Sequence, residues 1–181
     1  MHGLMLAELQ RYIEDNVGPH SWQETCRQAG VGRTSYNRLD DYPETDLGEL
    51  LVAGARVIGV PLDSMLEDFG TFMVPGLMHS CAPHIPGEWR VLDLLQDETR
   101  MRLLAERLTG RSVRPLPVNS LRLSEREVRI SYGSERRLCG LTRGIIRGLL
   151  AHFREIGTVK ETACMLKGAD RCVIEVTRLG N

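Results

Sequence analysis

The 181-residue chain has few aromatic side chains, no excess charge of either sign and no long apolar run. Aromatic residues make up 5% of it, and 23 basic against 24 acidic residues give a net charge of -1. This balance provides no general attraction to nucleic acid or to an acidic membrane surface. No apolar run reaches the ~20 residues of a membrane span, and the N-terminus does not resemble a secretion signal. We therefore expect no nucleic acid and no membrane among its partners.

Signatures of common enzymes are also absent from the sequence. It contains no glycine-rich phosphate loop, no nucleophile elbow and no His-Glu-x-x-His motif, so we predict a protein that is not an enzyme. The odd number of cysteines, five, favours a reducing, cytoplasmic setting over a disulfide framework. His79 and His84 bracket Cys81 in a stretch rich in proline and glycine, a spacing that suits either a metal site or a surface turn.

Apolar periodicity predicts helices in the first half of the chain and strands in the second. Helices are expected over residues 4–17, 20–29, 46–58, 62–73 and 91–108, with Pro75 and Gly110 ending the last two. Strands are expected over residues 120–123, 127–132, 158–165 and 172–177, with a helix over 138–153 between the second and the third. Helices followed by a sheet with one packed helix form an α+β fold.

Polar side chains recur at every second position where the strand over 127–132 ends. Tyr132, Ser134 and Arg136 would point to one side if the chain stayed extended. A phenol, a hydroxyl and a forked guanidinium together suit the carboxylate of a ligand. The same residues could equally face water at a strand end and cap the next helix.

This stretch resembles a known family. Tyr132-x-Ser134-x-Arg136, followed by Arg-Leu-Cys and a long apolar helix, is similar to the propionate-binding signature of the heme nitric oxide/oxygen binding domains, called H-NOX. The likeness extends along the chain, through Met1-His2-Gly3, Gly18 with Trp22, Phe69-Gly70-x-Phe72, Gly76-Leu77, and Cys164-x-x-x-Gly168-Ala169-Asp170-x-Cys172. It implies a bacterial, stand-alone H-NOX domain over residues 1–181. Such a domain has a distal helical lobe, here about 1–75, and a proximal lobe of strands and helices, here about 85–181, with heme between them.

The resemblance also implies an axial histidine on the helix over residues 91–108, and this helix has none. Alignment backwards from Gly110 places Met101 at that position, and a shift by one residue places Arg100 there. Three alternatives follow. Met101 binds iron through its thioether, or His79 or His84 moves in from the neighbouring loop. In the third, the domain holds no heme, and its pocket is packed or binds another apolar carboxylate such as a fatty acid.

The residues that correspond to the family's distal pocket are apolar: Met5, Val74, Leu141 and Ile145. Leu141 stands where the family places a tyrosine that donates a hydrogen bond to bound oxygen. If heme binds, this wall is expected to exclude stable oxygen binding and to leave nitric oxide or carbon monoxide as the ligand. Without heme, the same four residues are simply a good core.

Three cysteines form a second candidate site. The turn around Gly168 would fold Cys164 and Cys172 toward each other on neighbouring strands. Some bacterial H-NOX proteins bind zinc with cysteines that correspond to Cys139, Cys164 and Cys172 and with a histidine where this chain has Glu161. The resemblance therefore implies a zinc site of Cys139, Glu161, Cys164 and Cys172. Otherwise the three cysteines are buried or redox-active thiols.

Two functions follow from these observations. The first is a cytoplasmic sensor domain that detects nitric oxide through heme with an atypical or missing axial ligand. Because the chain ends shortly after its last predicted strand, we expect it to signal to a separate effector, such as the histidine kinases or diguanylate cyclases that bacterial relatives regulate. The alternative is a heme-free sensor or interaction module that responds to zinc, to thiol redox state or to an apolar carboxylate.

Overall fold

The computed structural model describes residues 3–38, 40–109 and 118–180. Among these residues the helices are α1 (Gly3–Val17), α2 (Ser21–Ala29), α3 (Glu44–Ile58), α4 (Leu62–Cys81), α5 (Val91–Gln96), α6 (Glu98–Thr109) and α7 (Cys139–His152). The strands are β1 (Val118–Ser124), β2 (Glu127–Tyr132), β3 (Ile156–Ala163) and β4 (Cys172–Gly180). Met1 and His2 of the N-terminal motif, and Gly110, lie outside the described residues.

The predicted ends of α2 and α3 are confirmed. Gly30 and Gly59 follow these helices with φ angles of 68° and 82°, in the left-handed region that glycine adopts without strain. The Gly59 N–H donates to the Ala55 carbonyl and so satisfies one of the free carbonyls at the end of α3. Gly30 therefore ends α2, and Gly59 ends α3 shortly before α4 begins.

The prediction that Pro75 ends its helix is wrong. α4 continues through Pro75 to Cys81. A proline inside a helix removes one hydrogen bond and costs about 3 kcal/mol. The turns after Pro75 offset that cost because Leu77, Met78 and Cys81 are all at most 5% exposed. The residues from 76 to 81, which lie between the two predicted lobes, therefore belong to a helix.

The prediction of one long helix over residues 91–108 is also wrong. α5 ends at Gln96, and Asp97 has extended dihedral angles, φ -82° and ψ 107°. Its carboxylate accepts a hydrogen bond of 2.8 Å from the Arg100 N–H. Asp97 therefore acts as the N-cap of α6, and this interaction favours a break over a continuous helix.

The four strands form one antiparallel sheet in the order β1-β2-β4-β3. One face is buried against the helices, with Val128, Ile130, Ile174 and Val176 at most 1% exposed. The opposite face is polar at its centre, where Arg129 pairs with Glu175 at 3.0 Å. This alternation is typical of an antiparallel sheet that is covered on one side, and it confirms the predicted α+β fold class.

Helices α4 and α7 approach so closely that their backbones touch. A Cβ atom added at Gly144 of α7 would lie 2.0 Å from the carbonyl oxygen of Glu67 in α4, and one at Gly70 would lie 2.5 Å from the Leu141 carbonyl oxygen. The Thr71 hydroxyl donates a hydrogen bond of 3.1 Å to the Gly144 carbonyl. Only glycine permits this contact, which joins the helical part of the molecule to the part that carries the sheet.

The buried apolar side chains form separate clusters. One gathers α1, α2, α3 and the first part of α4 as far as Met73. Another begins at Val74 and includes α5, Leu104 of α6, the sheet and most of the buried face of α7. The predicted division into lobes of about 1–75 and 85–181 stays a prediction. No helix in the described part of the chain has the length and apolarity required to cross a membrane.

Candidate functional site

An apolar cavity of about 150 Å³ lies where the helices meet the sheet. Helices α1 and α4 to α7 and strands β1 and β2 all contribute to its wall. The described lining residues are Met5, Leu77, Leu95, Met101, Leu104, Ala105, Val118, Ile130, Tyr132, Leu138, Leu141, Thr142, Ile145 and Ile146. None of them is charged and none is a histidine, so the cavity suits an apolar ligand.

Met101 is in the lining of this cavity, and Arg100 is not. The Arg100 guanidinium lies 5.2 Å from the centre of the Trp89 ring, and its Nε donates to the His84 carbonyl at 3.2 Å. Of the two residues that alignment placed at the axial position, the structure therefore brings only Met101 to the cavity. His79 and His84 are exposed and lie outside the described lining.

The segment that carries the three residues predicted to bind a carboxylate is not extended throughout. β2 ends at Tyr132, and the chain then turns, with the Arg137 N–H donating to the Ser134 carbonyl at 3.0 Å. The expectation of an extended chain as far as Arg136 is therefore wrong, because this turn breaks the period of two. Tyr132 lines the cavity, Ser134 is half-buried and Arg136 is exposed.

Tyr132 and Ser134 nevertheless remain close to each other. Burial raises the pKa of the Tyr132 phenol, and hydrogen bonds with the Ser134 side chain and the Leu138 backbone partly oppose that rise. Tyr132 also packs in a small buried cluster with Cys139, Cys164 and Cys172. The phenol thus stands between the apolar cavity and the thiols.

Three of the four predicted distal residues line the cavity: Met5, Leu141 and Ile145. Val74 does not belong to the described lining. It is fully buried against α7, where a Cβ added at Gly148 would lie 2.6 Å from its Cγ2. Val74 therefore serves the contact between α4 and α7.

The fold brings the four predicted metal ligands together. One potential ligand atom from each of Cys139, Glu161, Cys164 and Cys172 lies within 4.8 Å of all the others. Cys172 Sγ is 3.0 Å from Cys139 Sγ and 3.9 Å from Cys164 Sγ. Ligand atoms around a tetrahedral zinc ion lie about 3.8 Å apart, since the Zn–S bond is about 2.3 Å long. The cluster therefore has donors suited to zinc, at separations scattered around this distance.

Burial disfavours the thiolate form of two of these cysteines. Burial raises the pKa of Cys139 and of Cys164, and the neighbouring thiols reinforce both shifts. The thiolate is the reactive form of cysteine, so a raised pKa makes oxidation slow at neutral pH. A bound cation would reverse this effect because it stabilises thiolates directly.

Sequence reasoning missed an ion-pair cluster next to the thiols. Arg143 of α7 binds Glu161 of β3 at 3.0 Å, Glu67 of α4 at 3.0 Å and Asp63 of α4 at 2.5 Å. Burial by itself lowers the pKa of a guanidinium, but hydrogen bonds with Glu67 and the charges of Asp63 and Glu161 hold the pKa of Arg143 above its ordinary value. A signal was present in the sequence, since Arg143 interrupts an otherwise apolar helix face.

A family model described as Haem-NO-binding (HNOB) matches residues 2–161. The chain belongs to the Haem-NO-binding family. Members of this family are heme-based gas-sensor domains, and the predicted H-NOX resemblance is confirmed. No curated protein matches this chain.

Solved H-NOX structures share the fold of this family member. A crystal structure of an H-NOX protein from Shewanella oneidensis in the Fe(II)NO state has a TM-score of 0.85 at 21% identity, over 99% of this chain and 100% of the other. An NMR structure from the same organism in the Fe(II)CO state has a TM-score of 0.84 at 22% identity, over all of both chains. The Fe(II) unliganded H-NOX protein from K. algicida has a TM-score of 0.86 at 13% identity, over 100% of this chain and 98% of the other.

The cavity fits heme in its chemistry more closely than in its volume. An apolar wall suits a porphyrin, the Met101 sulfur is a possible iron ligand, and Tyr132 can donate to a carboxylate. Pockets for organic ligands usually measure about 300–1,000 Å³, and this cavity measures only about 150 Å³. The helices around the cavity would therefore have to move apart to admit heme. The thiol cluster fits zinc without such a change.

Proposed function

We propose that this chain is a cytoplasmic, non-catalytic sensor of nitric oxide in which Met101 takes the place of the family's axial histidine. The observation that carries this proposal is the position of Met101. It lies in the wall of the cavity between the helices and the sheet, within a fold shared with heme-binding relatives. Among the described lining residues the other thioether is Met5, on α1.

When bound, heme would supply an iron centre that takes a diatomic gas. Met101 would hold the iron, and Tyr132, Ser134 and Arg136 would bind the propionates. Leu141, Ile145 and Met5 would keep water away from the gas. Thr142, the other hydroxyl in the described lining, already donates to the Leu138 carbonyl at 3.3 Å. With Tyr132 assigned to a propionate, the described lining residues would offer no free hydrogen-bond donor to oxygen, whereas nitric oxide does not require one.

We propose that the signal passes to a separate effector protein, such as a histidine kinase or a diguanylate cyclase. A change at the cavity can reach the rest of the molecule through α7. This helix contributes Leu141 and Ile145 to the cavity wall, and it touches the backbone of α4 at Gly144.

The test is an absorption spectrum of the purified protein, as isolated and after addition of hemin, dithionite and nitric oxide. We expect a Soret band that shifts with nitric oxide and does not shift with oxygen. Met101→Leu keeps the approximate volume of the side chain and removes the sulfur. We therefore expect this variant to change the Soret band of the ferrous protein before gas is added.

The matched control is Met5→Leu, which removes a thioether from the same cavity on the side of α1. Its ferrous spectrum should equal that of the unsubstituted protein. Identical spectra of the Met101→Leu variant and the unsubstituted protein would show that another group holds the iron. A Soret band that remains that of free hemin after hemin is added to the protein would end the proposal of heme-based sensing.

A second function is supported by the thiol cluster. We propose that Cys139, Glu161, Cys164 and Cys172 bind zinc, and that in a heme-free protein this metal or the redox state of its thiols is the signal. Four donors within 4.8 Å of one another support this proposal. Zinc in a one-to-one ratio after purification would support it further, and chains free of metal after growth with added zinc would count against it.

A further inference from the structure

Glu161 has two kinds of neighbour, an arginine and the thiols. Its Oε1 accepts a hydrogen bond of 3.0 Å from Nη1 of Arg143. One of its carboxylate oxygens also lies within 4.8 Å of the sulfurs of Cys139, Cys164 and Cys172. A carboxylate can bind a metal through one oxygen while the other accepts a hydrogen bond. Glu161 therefore does not have to leave Arg143 in order to bind a metal.

Arg143 is itself held firmly in place. Its Nε donates to Glu67 at 3.0 Å and its Nη2 donates to Asp63 at 2.5 Å, and both acids belong to α4. The side chain of Arg143 is only 10% exposed, compared with 53% for Arg147, which also pairs with Glu67. A guanidinium fixed by three carboxylates can orient one of them, because its donors form a rigid fork.

A zinc-bound form of the site would keep a net negative charge, which a neighbouring positive group would stabilise. Three thiolates and one carboxylate carry four negative charges, and a zinc ion supplies two positive ones. Cys139, Cys164 and Cys172 are at most 5% exposed, so little water is available to stabilise the remaining negative charge. Arg143 is the positive group that contacts a ligand of the cluster directly.

We propose that Arg143 is a positioning residue of the metal site, which orients Glu161 as the fourth ligand and links that ligand to α4. This inference rests on the zinc site proposed above. It gives the metal a mechanical connection to the helical part of the molecule, because the chain of contacts runs from the metal ligand Glu161 through Arg143 to Asp63 and Glu67.

The test is zinc affinity, measured by competition with a chromophoric chelator at fixed pH and ionic strength. Substitution of groups that orient a metal ligand usually lowers metal affinity about 10–100-fold. We expect this loss in Arg143→Gln and a smaller loss in Arg143→Lys, which retains the charge without the fork. Arg147→Gln is the matched control, since it also removes a partner of Glu67 but does not contact Glu161, and its affinity should equal that of the unsubstituted chain.

A double-variant cycle separates positioning from a general effect on the fold. In the Glu161→Gln variant, a second substitution at Arg143 should cause no further loss of zinc affinity, because Arg143 acts through Glu161. Cobalt provides a spectroscopic readout, because its visible bands depend on the ligands. The bands should change in Glu161→Gln and in both Arg143 variants and stay the same in Arg147→Gln. If Arg143→Gln does not fold, Arg143→Lys and the cobalt bands decide the question.

The outcomes distinguish this inference from the metal site itself. If the unsubstituted chain binds neither zinc nor cobalt, both proposals are overturned. If the unsubstituted chain and the Glu161→Gln variant bind zinc with equal affinity, the thiols alone account for the metal site and the role of Arg143 is refuted. A tighter zinc affinity in Arg143→Gln would also refute it, since Arg143 would then compete with the metal for Glu161.

Discussion

Cys172 is the central thiol of the cluster, within 3.9 Å of both other sulfurs. We predict that Cys172→Ser lowers zinc affinity at least 100-fold, because a serine hydroxyl is a far weaker zinc ligand than a thiolate. The measurement is metal content after dialysis against a weak chelator. Cys26→Ser is the control, since Cys26 is equally buried but belongs to α2 and to a different cluster. Retention of zinc by the Cys172 variant would place the metal elsewhere.

At the scale of residues, the sequence supported the thiol site better than the carboxylate site. Cys139, Glu161, Cys164 and Cys172 lie close together, as the family resemblance implied. The turn at Gly168 is visible as a local pattern, whereas the pairing of β2 with β4 joins segments that are far apart in sequence. The alternating pattern of Tyr132, Ser134 and Arg136 suggested an extended chain, but β2 ends at Tyr132 and a turn follows. Alternation of side chains does not reveal such a turn. Two of the three partners of Arg143, Asp63 and Glu67, were unpredictable because they lie on α4, far away in sequence.

At the scale of elements, the contact between α4 and α7 depends on glycine. We predict that Gly144→Ala destabilises the protein by about 1–3 kcal/mol, since the new methyl group would lie 2.0 Å from the Glu67 carbonyl oxygen and would force the helices apart. The measurement is the free energy of unfolding in urea.

Gly76→Ala in α4 is the matched control for Gly144→Ala. A Cβ at Gly76 would meet nothing within 4 Å, and the residue is exposed. Alanine is the better helix former, so this variant should gain about 0.5–1 kcal/mol. A loss of stability in both variants, or in neither, would contradict the close contact of the two backbones.

The sequence predicted where most helices lie, but it did not predict the full length of α4 or the break between α5 and α6. The apolar period identifies α1, α3 and α7 within a few residues of their observed ends, because each buries one stripe of side chains. The sequence patterns mispredicted helix ends where contacts with distant parts of the chain contributed more to stability than local helix preferences. Burial of Leu77 and Met78 carries α4 past Pro75, and the cap formed by Asp97 divides two helices that share one apolar period.

At the scale of the whole molecule, the protein is expected to lose stability at alkaline pH. Burial raises the pKa of Cys26 from 9.0 to about 11. Burial, helped by the charges of Asp68 and Asp46, raises the pKa values of Tyr12 and Tyr36 from 10.0 to about 12. Each group holds its proton more tightly in the folded protein than in the unfolded chain. Its contribution to the free energy of unfolding is therefore complete below its pKa in the unfolded chain, and it is lost as the pH rises through its pKa in the folded protein.

The contribution of these three groups to the free energy of unfolding should therefore be constant up to about pH 8.5 and fall between about pH 9 and 12, with each group contributing on the order of 2 kcal/mol. Urea titrations at several pH values measure this decline. Tyr36→Phe removes one of the three groups, so its stability should fall less steeply above pH 10. An unchanged slope in this variant would show that other groups govern the alkaline transition.

The strand order also determines how the sheet can assemble. β1 with β2 and β3 with β4 are pairs of consecutive strands, whose local contacts form quickly. The pairing of β2 with β4 joins these hairpins and must first close a loop that contains α7 and β3. That same pairing sets Tyr132 opposite Cys172. Until this slow step is complete, a newly made chain carries three unprotected thiols that oxidants and stray metal ions can reach.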